Sequence, residues 1–476
     1  MCSGLPKSWN NPSESLHKNK GIELEVMEKN EISILGAGLI GSLLSIYLRK
    51  RGLDVSIFEK RLDNRNSQYK EEGRSINMAL SDRGWRALEK IGLKDKIMPL
   101  AIPMYGRRVH DEHGKTTFIP YGKDDQAIYS ISRGRFNRVL IDEAEKEGVK
   151  LNFGHRCDHV NIGKGELHFT IGEERSQLHS NVIIGADGAY SSLRMAMQKQ
   201  ARFNYKQEYI SHGYKELTIP ATAEGEFAMD PNALHIWPRG KFMLIALPNP
   251  DKSFTCTLFL PFEGTKVCFD KINDEVDIKS VFKTHFDDAY KLMPNLTEQY
   301  LSNPTSALIN IECFPWVQDR ALLIGDASHA MVPFYGQGMN CGFEDCFILD
   351  SLIDKFGTNA WDLVFAKFQK MRKPDTDAIC QLALENFVEM RDAVSDPKFL
   401  IRKKIEAKLH ALYPNDWVPL YTMVTFSDMP YSEAYAQGKL QEAIMDKVMS
   451  SPLITQNWDK LDYGDIIDKM EATKAV

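Results

Sequence analysis

Residues 32–59 most narrow the folds open to this 476-residue chain. Ile32-Ser33-Ile34-Leu35 is the pattern of a buried strand. Gly36-Ala37-Gly38-Leu39-Ile40-Gly41 follows without a gap. Leu39, Ile40, Leu43, Leu44, Tyr47 and Leu48 then recur at helical spacing, and Gly52 ends the run. Val55-Ser56-Ile57-Phe58 is a second strand, closed by Glu59 eighteen residues beyond Gly41. Strand, glycine turn, helix and strand make a parallel unit, the opening of a doubly wound α/β sheet.

The three glycines have separate tasks in such a turn. Gly36 permits the tight bend, Gly38 lets backbone approach a pyrophosphate, and Gly41 lets the helix pack on the strand. The helix N-terminus presents positive partial charge to the phosphates. Glu59 can accept both hydroxyls of an adenosine ribose and would repel a 2′-phosphate, so the unit suits FAD or NAD. A lone GxGxxG is often an empty turn. Here strand, helix and acid are all in register.

Two further strand ends follow the same plan. Val182-Ile183-Ile184 runs into Gly185-Ala186-Asp187-Gly188. Leu322-Leu323-Ile324 runs into Gly325-Asp326-Ala327, and then Pro333-Phe334-Tyr335-Gly336-Gln337-Gly338-Met339-Asn340. Open α/β sheets bind ligands at such ends. Asp187 is poised for a backbone or ribityl contact, although a surface turn is its plainer reading. A carboxylate such as Asp326, at the end of a buried strand, is costly without a partner. A helix opening at Gly336–Asn340 would aim its dipole at a flavin ring, where negative charge builds on reduction. One dinucleotide fingerprint is present and not two, which fits a nicotinamide that binds briefly at the surface.

Composition excludes other classes. Lys and Arg number 59 against 65 Asp and Glu, a net charge of −6, which disfavours nucleic-acid binding. The eight cysteines show neither a CxxC nor a histidine at zinc spacing, so they are expected as reduced core thiols, with no metal site. Met1–Asn30 is polar and mixed in charge, which predicts a disordered extension and no signal peptide. No apolar run reaches about 18 residues, so no membrane span and a cytoplasmic location are expected.

The length predicts two or three subdomains. Residues 31–204 alternate strands and helices as a nucleotide-binding domain, with part of a second sheet near 103–130. Residues 205–310 are β-rich, with turns at Pro238-Arg239-Gly240 and Asn249-Pro250-Asp251-Lys252, and predict an inserted antiparallel sheet. Residues 311–345 return to the first domain, 346–457 are helical, and 458–476 are expected as a mobile charged tail.

The three strand-end segments, in this order, resemble the FAD-dependent aromatic hydroxylases, the single-component flavoprotein monooxygenases. The resemblance covers roughly residues 31–435. It narrows to the branch acting on L-kynurenine through segments that phosphate binding does not require. These are Ile119–Gly122, His212–Pro220, Leu234–Arg239 and Pro419–Phe426, and Gly73–Ser81 matches closely as well.

The resemblance implies a Rossmann-like FAD-binding domain, an inserted substrate sheet and a helical C-terminal region. It implies non-covalent FAD held by Gly36, Gly38, Ile40, Gly41, Phe58, Glu59, Lys60, Arg61, Ala79, Arg133, Cys157, Asp187, Ser192, Asp326, Gly338, Met339 and Asn340. It implies a substrate site of Arg107, Tyr121, Asn386 and Tyr421. Met390 lies one turn beyond Asn386, and Pro333 and Phe334 wall the ring beside the flavin. A guanidinium suits an α-carboxylate, and neutral Tyr and Asn donors fix orientation.

The implied reaction uses NADPH and O₂ as transient co-substrates and gives 3-hydroxykynurenine, a step of tryptophan degradation. No side chain is assigned as a general base, because the ortho amine already enriches ring C3. The membrane anchor of eukaryotic members is not expected, since the chain ends in charge. Taken singly, Arg107 beside Arg108 is a solvated pair, Asn386 a helix-surface amide and Tyr421 a core aromatic. Two alternatives stay open: a hydroxylase of another aromatic acid, and a flavin-binding sensor without turnover.

Overall fold

The computed structural model describes residues 30–66, 77–122, 126–389, 397–451 and 453–474. The expected N-terminal extension, Gly73–Ile76 of one matched segment, and Met390 lie outside the described residues. The strand Asn30–Leu35 pairs in parallel with Val55–Glu59 on one side and with the end of Glu174–Gly185 on the other. Ala321–Leu323 joins Glu174–Gly185 in parallel, and Lys150–Phe153 joins Val55–Glu59. Val317–Gln318 closes one edge, and a hairpin of His155–Asn161 and Glu166–Ile171 branches from the early half of Glu174–Gly185.

Parallel strands covered on both faces are apolar throughout. Ile32, Ile34, Ile57, Ile183, Ile184, Leu322 and Leu323 are accordingly no more than 1% exposed. Register then sets Leu35 beside Gly185 and Phe58, and Gly185 beside Leu323. The three strands therefore finish side by side, and the turns after Leu35, Gly185 and Ile324 share one edge of the sheet. The helix Leu39–Lys50 buries Leu43, Leu44, Ile46, Tyr47 and Leu48, and its Arg49 and Lys50 face the negative end of its dipole.

A second sheet has seven strands. In order they are Ser306–Phe314, Asn204–Ile219, Phe254–Pro261, Met243–Pro248, Ala233–Pro238, Gly106–His110 and Thr116–Pro120. Its neighbours are antiparallel except at one junction, where Gly106–His110 meets Ala233–Pro238 in parallel. The two strands there come from separate excursions of the chain, so no hairpin forces them antiparallel. Ser306–Phe314 runs past the expected boundary at 310, and the return to the first sheet begins at Val317. One face packs Trp237, Leu258, Phe282 and Phe286 beneath the helix Glu275–His285. The other face meets Phe334, Phe387, Met423 and Val424. A three-stranded sheet of Asn77–Leu80, Ile128–Ser132 and Ile102–Met104 stands beside both.

The C-terminal region comprises the helices Gly338–Phe356, Trp361–Val388, Pro397–Leu412, Leu420–Thr425 and Tyr431–Met449, with shorter turns after them. The last residues correct the expectation of a mobile tail. Tyr463–Lys474 is a helix, and Tyr463, Ile466, Ile467 and Met470 pack on Ile405, Leu409, Trp417 and Met445. Its charge hid an apolar stripe at i, i+3, i+4 and i+7. No helix of the described residues is long and apolar enough to cross a membrane.

Two of the buried histidines on the seven-stranded sheet, His110 and His235, form a pair. His110 Nδ1 meets Asp288 at 2.6 Å, and its Nε2 meets His235 Nδ1 at 2.9 Å. His235 Nε2 faces the Asp230 carbonyl at 2.8 Å, which can only accept, so this nitrogen carries the proton. Burial pushes His235 down to about 4 from its ordinary 6.5. The folded value lies below the unfolded one, so the unfolded chain binds more protons between those limits, and stability falls as pH falls through that window. At pH 5 the loss from this residue comes to about 2 kcal/mol. Calorimetric melting at pH 7 and pH 5 should show a smaller acid-side drop for His235→Asn than for the wild type. Equal drops would show that His235 is not the titrating group.

Candidate cofactor and substrate site

The first turn leaves no room for side chains at two of its glycines. Gly36 has φ +102°, and a Cβ there would stand 2.5 Å from the Ala186 carbonyl oxygen. A Cβ at Gly41 would overlap the Gly36 carbonyl. Gly38 differs, because nothing lies within 4 Å of the place its Cβ would take. That open position, at the N-terminus of the helix Leu39–Lys50, is where a pyrophosphate fits.

Glu59 closes the far side. Its Oε2 accepts from the Ala37 N–H at 2.9 Å, and its Oε1 from the Arg61 N–H at 3.0 Å and Nε at 2.8 Å. Burial alone would raise the Glu59 pKa, but the bonds and charge of Arg61 outweigh it and hold the carboxyl below its ordinary range. Glu59 is thus an ionised acceptor in a cleft lined also by Ala37, Asn64, Asn137 and Phe153.

The second turn holds an unmet acceptor. Asp187 Oδ2 takes the Ser192 N–H at 2.7 Å, while its buried Oδ1 has no partner. Burial pushes the Asp187 pKa up. A ligand hydroxyl would satisfy that oxygen, and Gly188 beside it leaves open space where a Cβ would stand. Cys157 is half-buried next to it, and burial pushes its thiol up to about 12, with Asp187 adding to the shift.

In the third turn Asp326 is exposed, directly after Gly325. Ile40 packs on both Gly325 and Gly342, so the first helix, the Asp326 turn and the helix Gly338–Phe356 are fitted to one another. Gly338 and Met339 open that helix, and Ala79 packs near Gly336.

Other expected cofactor residues stand less directly at the cradle. Phe58 is buried and stacks on Phe169 at 4.6 Å, so its side chain belongs to the core. Asn340 uses its whole amide within the protein: it accepts from the Ser81 N–H at 2.9 Å and donates to Ala79 O at 2.8 Å and Gly336 O at 2.9 Å. Lys60 and Arg133 are exposed at strand ends.

The structure adds Arg194, which sequence reasoning missed. This buried guanidinium donates to Ala327 O at 2.8 Å and to Ala189 O, clipping the second turn to the third. Its only sequence signal is an arginine among Leu193, Met195 and Met197 just after the Asp187 turn.

On the second sheet Arg107 lies among tyrosines. Its guanidinium carbon is 5.0 Å from the Tyr421 ring centre and 5.6 Å from that of Tyr121. Those rings stack at 5.1 Å, and Tyr335 stacks on Tyr421 at 5.7 Å. Tyr335 was not expected in the site, although it lies inside the Pro333–Asn340 segment. Arg107 Nε is buried without a hydrogen-bond partner, and the Tyr121 hydroxyl, also buried, faces the side chains of Arg107 and Tyr421. Burial opposes the charge on Arg107, but its surroundings, Tyr121 first among them, keep it protonated. A buried guanidinium with one unused donor beside neutral hydroxyls has the chemistry to receive an anion. Asn386 donates to the Phe334 carbonyl at 2.6 Å, and Phe334 stacks on Phe387 at 4.3 Å. The Pro333–Phe334 turn is held there, between this site and the helix Gly338–Phe356.

A parallel sheet with a glycine turn and carboxylates at its strand ends, beside a second sheet carrying a buried guanidinium, is the architecture of an FAD-dependent monooxygenase, and the chain's similarity to known proteins agrees. The FAD binding domain family matches residues 29–382. The chain is 47% identical over 446 residues to kynurenine 3-monooxygenase of Christiangramia forsetii, covering 93% of this chain and 99% of that protein. It is 42% identical over 429 residues to kynurenine 3-monooxygenase of Sus scrofa, covering 89% of each. It belongs to the kynurenine 3-monooxygenase family. Among solved structures, the tetrameric form of 2-methyl-3-hydroxypyridine-5-carboxylic acid oxygenase shares the fold, with a TM-score of 0.62 at 19% identity over 78% of this chain and 95% of that one. So does p-nitrophenol 4-monooxygenase PnpA from Pseudomonas putida DLL-E4, with a TM-score of 0.63 at 16% identity over 86% and 99%.

The cradle makes a direct prediction. Glu59→Arg replaces a buried acceptor with a donor beside Arg61, and FAD retention should weaken at least about tenfold. Flavin absorbance after desalting, with titration of FAD into the stripped protein, measures this. Wild-type affinity in the variant would remove Glu59 from the cradle.

Proposed function

We propose that this chain hydroxylates L-kynurenine at ring C3, consuming NADPH and O₂ and giving 3-hydroxykynurenine and water. The observation that carries the reading is Arg107, buried with its Nε unpartnered among Tyr121, Tyr421 and Tyr335, the last of which lies in the turn that leads into the helix Gly338–Phe356. Bound FAD, held by the Gly36–Gly41 turn, Glu59 and the Asp187 and Asp326 turns, supplies electron transfer from NADPH and activation of O₂.

The residues of this chain bind, orient and exclude water. Arg107 takes the α-carboxylate, and Tyr121 adds a neutral donor. Tyr421 and Tyr335 wall the guanidinium, and Phe334 and Pro333 set the substrate ring toward the cofactor. Asn386 holds the Phe334 turn in place. Burial pushes the hydroxyls of Tyr121, Tyr335 and Tyr421 well up, so all three stay neutral, as donors to a carboxylate must. The apolar walls keep water from the reacting centre, which limits loss of reducing equivalents to H₂O₂. No side chain needs to take a proton from the substrate first, because the ortho amine already directs attack to C3. The described cysteines are free thiols, which supports a reducing compartment, the cytoplasm.

Arg107→Ala should raise KM for L-kynurenine about tenfold to a hundredfold, the equivalent of roughly 1.5–3 kcal/mol for a charged contact. FAD occupancy should not change. Tyr121→Phe should do less, since it removes one neutral donor and keeps the ring. Product formed per NADPH consumed should fall in both as badly seated substrate lets peroxide escape. An unchanged KM and an unchanged ratio in Arg107→Ala would move the carboxylate site elsewhere and favour another aromatic acid as substrate.

A further inference from the structure

Behind the flavin-side turns lies a buried group of charges that the proposed reaction does not use. Arg372, on the helix Trp361–Val388, reaches two adjacent carboxylates of the helix Gly338–Phe356. Its Nε is 2.7 Å from Asp345 Oδ1, and a terminal nitrogen is 2.8 Å from Glu344 Oε2. The other Asp345 oxygen accepts from the Gly325 N–H at 3.2 Å and from His329 Nε2 at 2.6 Å, so it grips both sides of Asp326.

The other carboxylate leads to the helix N-terminus. Glu344 Oε1 is 2.6 Å from Arg83, which also donates to Val424 O at 2.7 Å and to Met429 O. Arg83 lies 3.9 Å over the Tyr431 ring, and the Tyr431 hydroxyl donates to Gln337 Oε1 at 3.0 Å. Gln337 is the last residue before the helix Gly338–Phe356. With Arg86 also 3.4 Å from Glu344 and Asp375 also 3.4 Å from Arg372, one group of three arginines and three carboxylates secures both ends of the segment 325–337.

His329, Cys341 and Asp345 offer ligand atoms within 4.8 Å of one another, as a cation site would. Arg372 already fills that role, with its second terminal nitrogen 3.3 Å from Cys341 Sγ. The cluster is a guanidinium site and not a metal site. Buried ion pairs add little stability over apolar packing of the same shape. A forked guanidinium between two carboxylates does add fixed geometry.

We propose that Arg372 is a positioning residue for the flavin. Through Asp345 it sets the Asp326 turn, and through Glu344, Arg83 and Tyr431 it sets the N-terminus of the helix Gly338–Phe356. The proposal rests on the assignment of that turn and helix to the cofactor. A helix N-terminus favours the more negative, reduced form of a bound group, and the preference fades as the helix moves away.

Arg372→Lys keeps the charge and loses the fork. It should fold, and its preference for reduced over oxidised FAD should fall about tenfold, read as a two-electron midpoint potential lower by about 30 mV. A folded Arg372→Lys that no longer retains FAD supports the proposal equally. Asp345→Asn should move the potential the same way. Leu409→Ala, which opens a cavity in the distant C-terminal cluster, should lower the melting temperature and leave the potential alone. Wild-type potential in both Arg372→Lys and Asp345→Asn, or an equal shift in Leu409→Ala, would overturn the proposal. Asp326→Ala separates the two levels. If it leaves FAD affinity and potential unchanged, the turn does not face the flavin and both readings fall. If it changes them while Arg372→Lys does not, only the positioning role fails.

Discussion

The close approach of Gly36 to Ala186 governs the cofactor side of this molecule. A Cβ at Gly36 would collide with the Ala186 carbonyl, so the first two turns touch backbone to backbone. That contact is possible because Leu35 pairs with Gly185 and the strands end level. Level strand ends bring Glu59, Asp187 and Asp326 to one rim, although they are far apart in the chain. Slipping one strand by a residue would turn its side chains over and move its acid off that rim. Sheet register is thus a functional quantity here.

The second sheet solves a different problem. It must hold a charged guanidinium in apolar surroundings while leaving it a hydrogen-bonding direction for a ligand. Three stacked tyrosines manage this, since their faces tolerate a cation and their hydroxyls stay neutral. Arg107 comes from one strand, Tyr121 from the residue after the edge strand, Tyr335 from the turn before a helix and Tyr421 from a short C-terminal helix. The C-terminal helices therefore complete the Arg107 cage through Tyr421, and Phe387 of the helix Trp361–Val388 packs on Phe334 beside it.

Legibility in the sequence followed the range of the interactions. The Gly36–Glu59 unit is local, with period and spacing visible in one window, and the chain folds there as read. The Arg107 cage depends on residues more than three hundred positions apart at its extremes, and only the family resemblance brought Arg107, Tyr121 and Tyr421 together. Tyr335 was passed over because its neighbours carried the glycine pattern. Arg83, Arg194 and Arg372 were invisible because an arginine on an amphipathic helix looks solvated until its carbonyl and carboxylate partners are known. Asn340 was legible as a position but not as a role, since its amide ties Ala79, Ser81 and Gly336 together. The last helix was misread because charge outnumbers its apolar stripe, and only Ile405, Leu409 and Trp417 show what that stripe covers.

These two halves meet in one short stretch. Phe334 and Tyr335 pack with the aromatics around Arg107, while Gly336–Asn340, directly after them, lead into and open the helix Gly338–Phe356. A rigid turn gives this stretch little freedom to serve one site without the other: Asn386 holds its start, and Tyr431 holds Gln337. Tyr121 stacks on Tyr421, Tyr421 on Tyr335, and Tyr335 leads through Gly336 and Gln337 into the helix. Conversely, a helix set correctly by the buried charges presents Tyr335 to the cage. The Arg107 cage on one sheet and the helix Gly338–Phe356 beside the other are therefore joined by a single covalent stretch, residues 334–340.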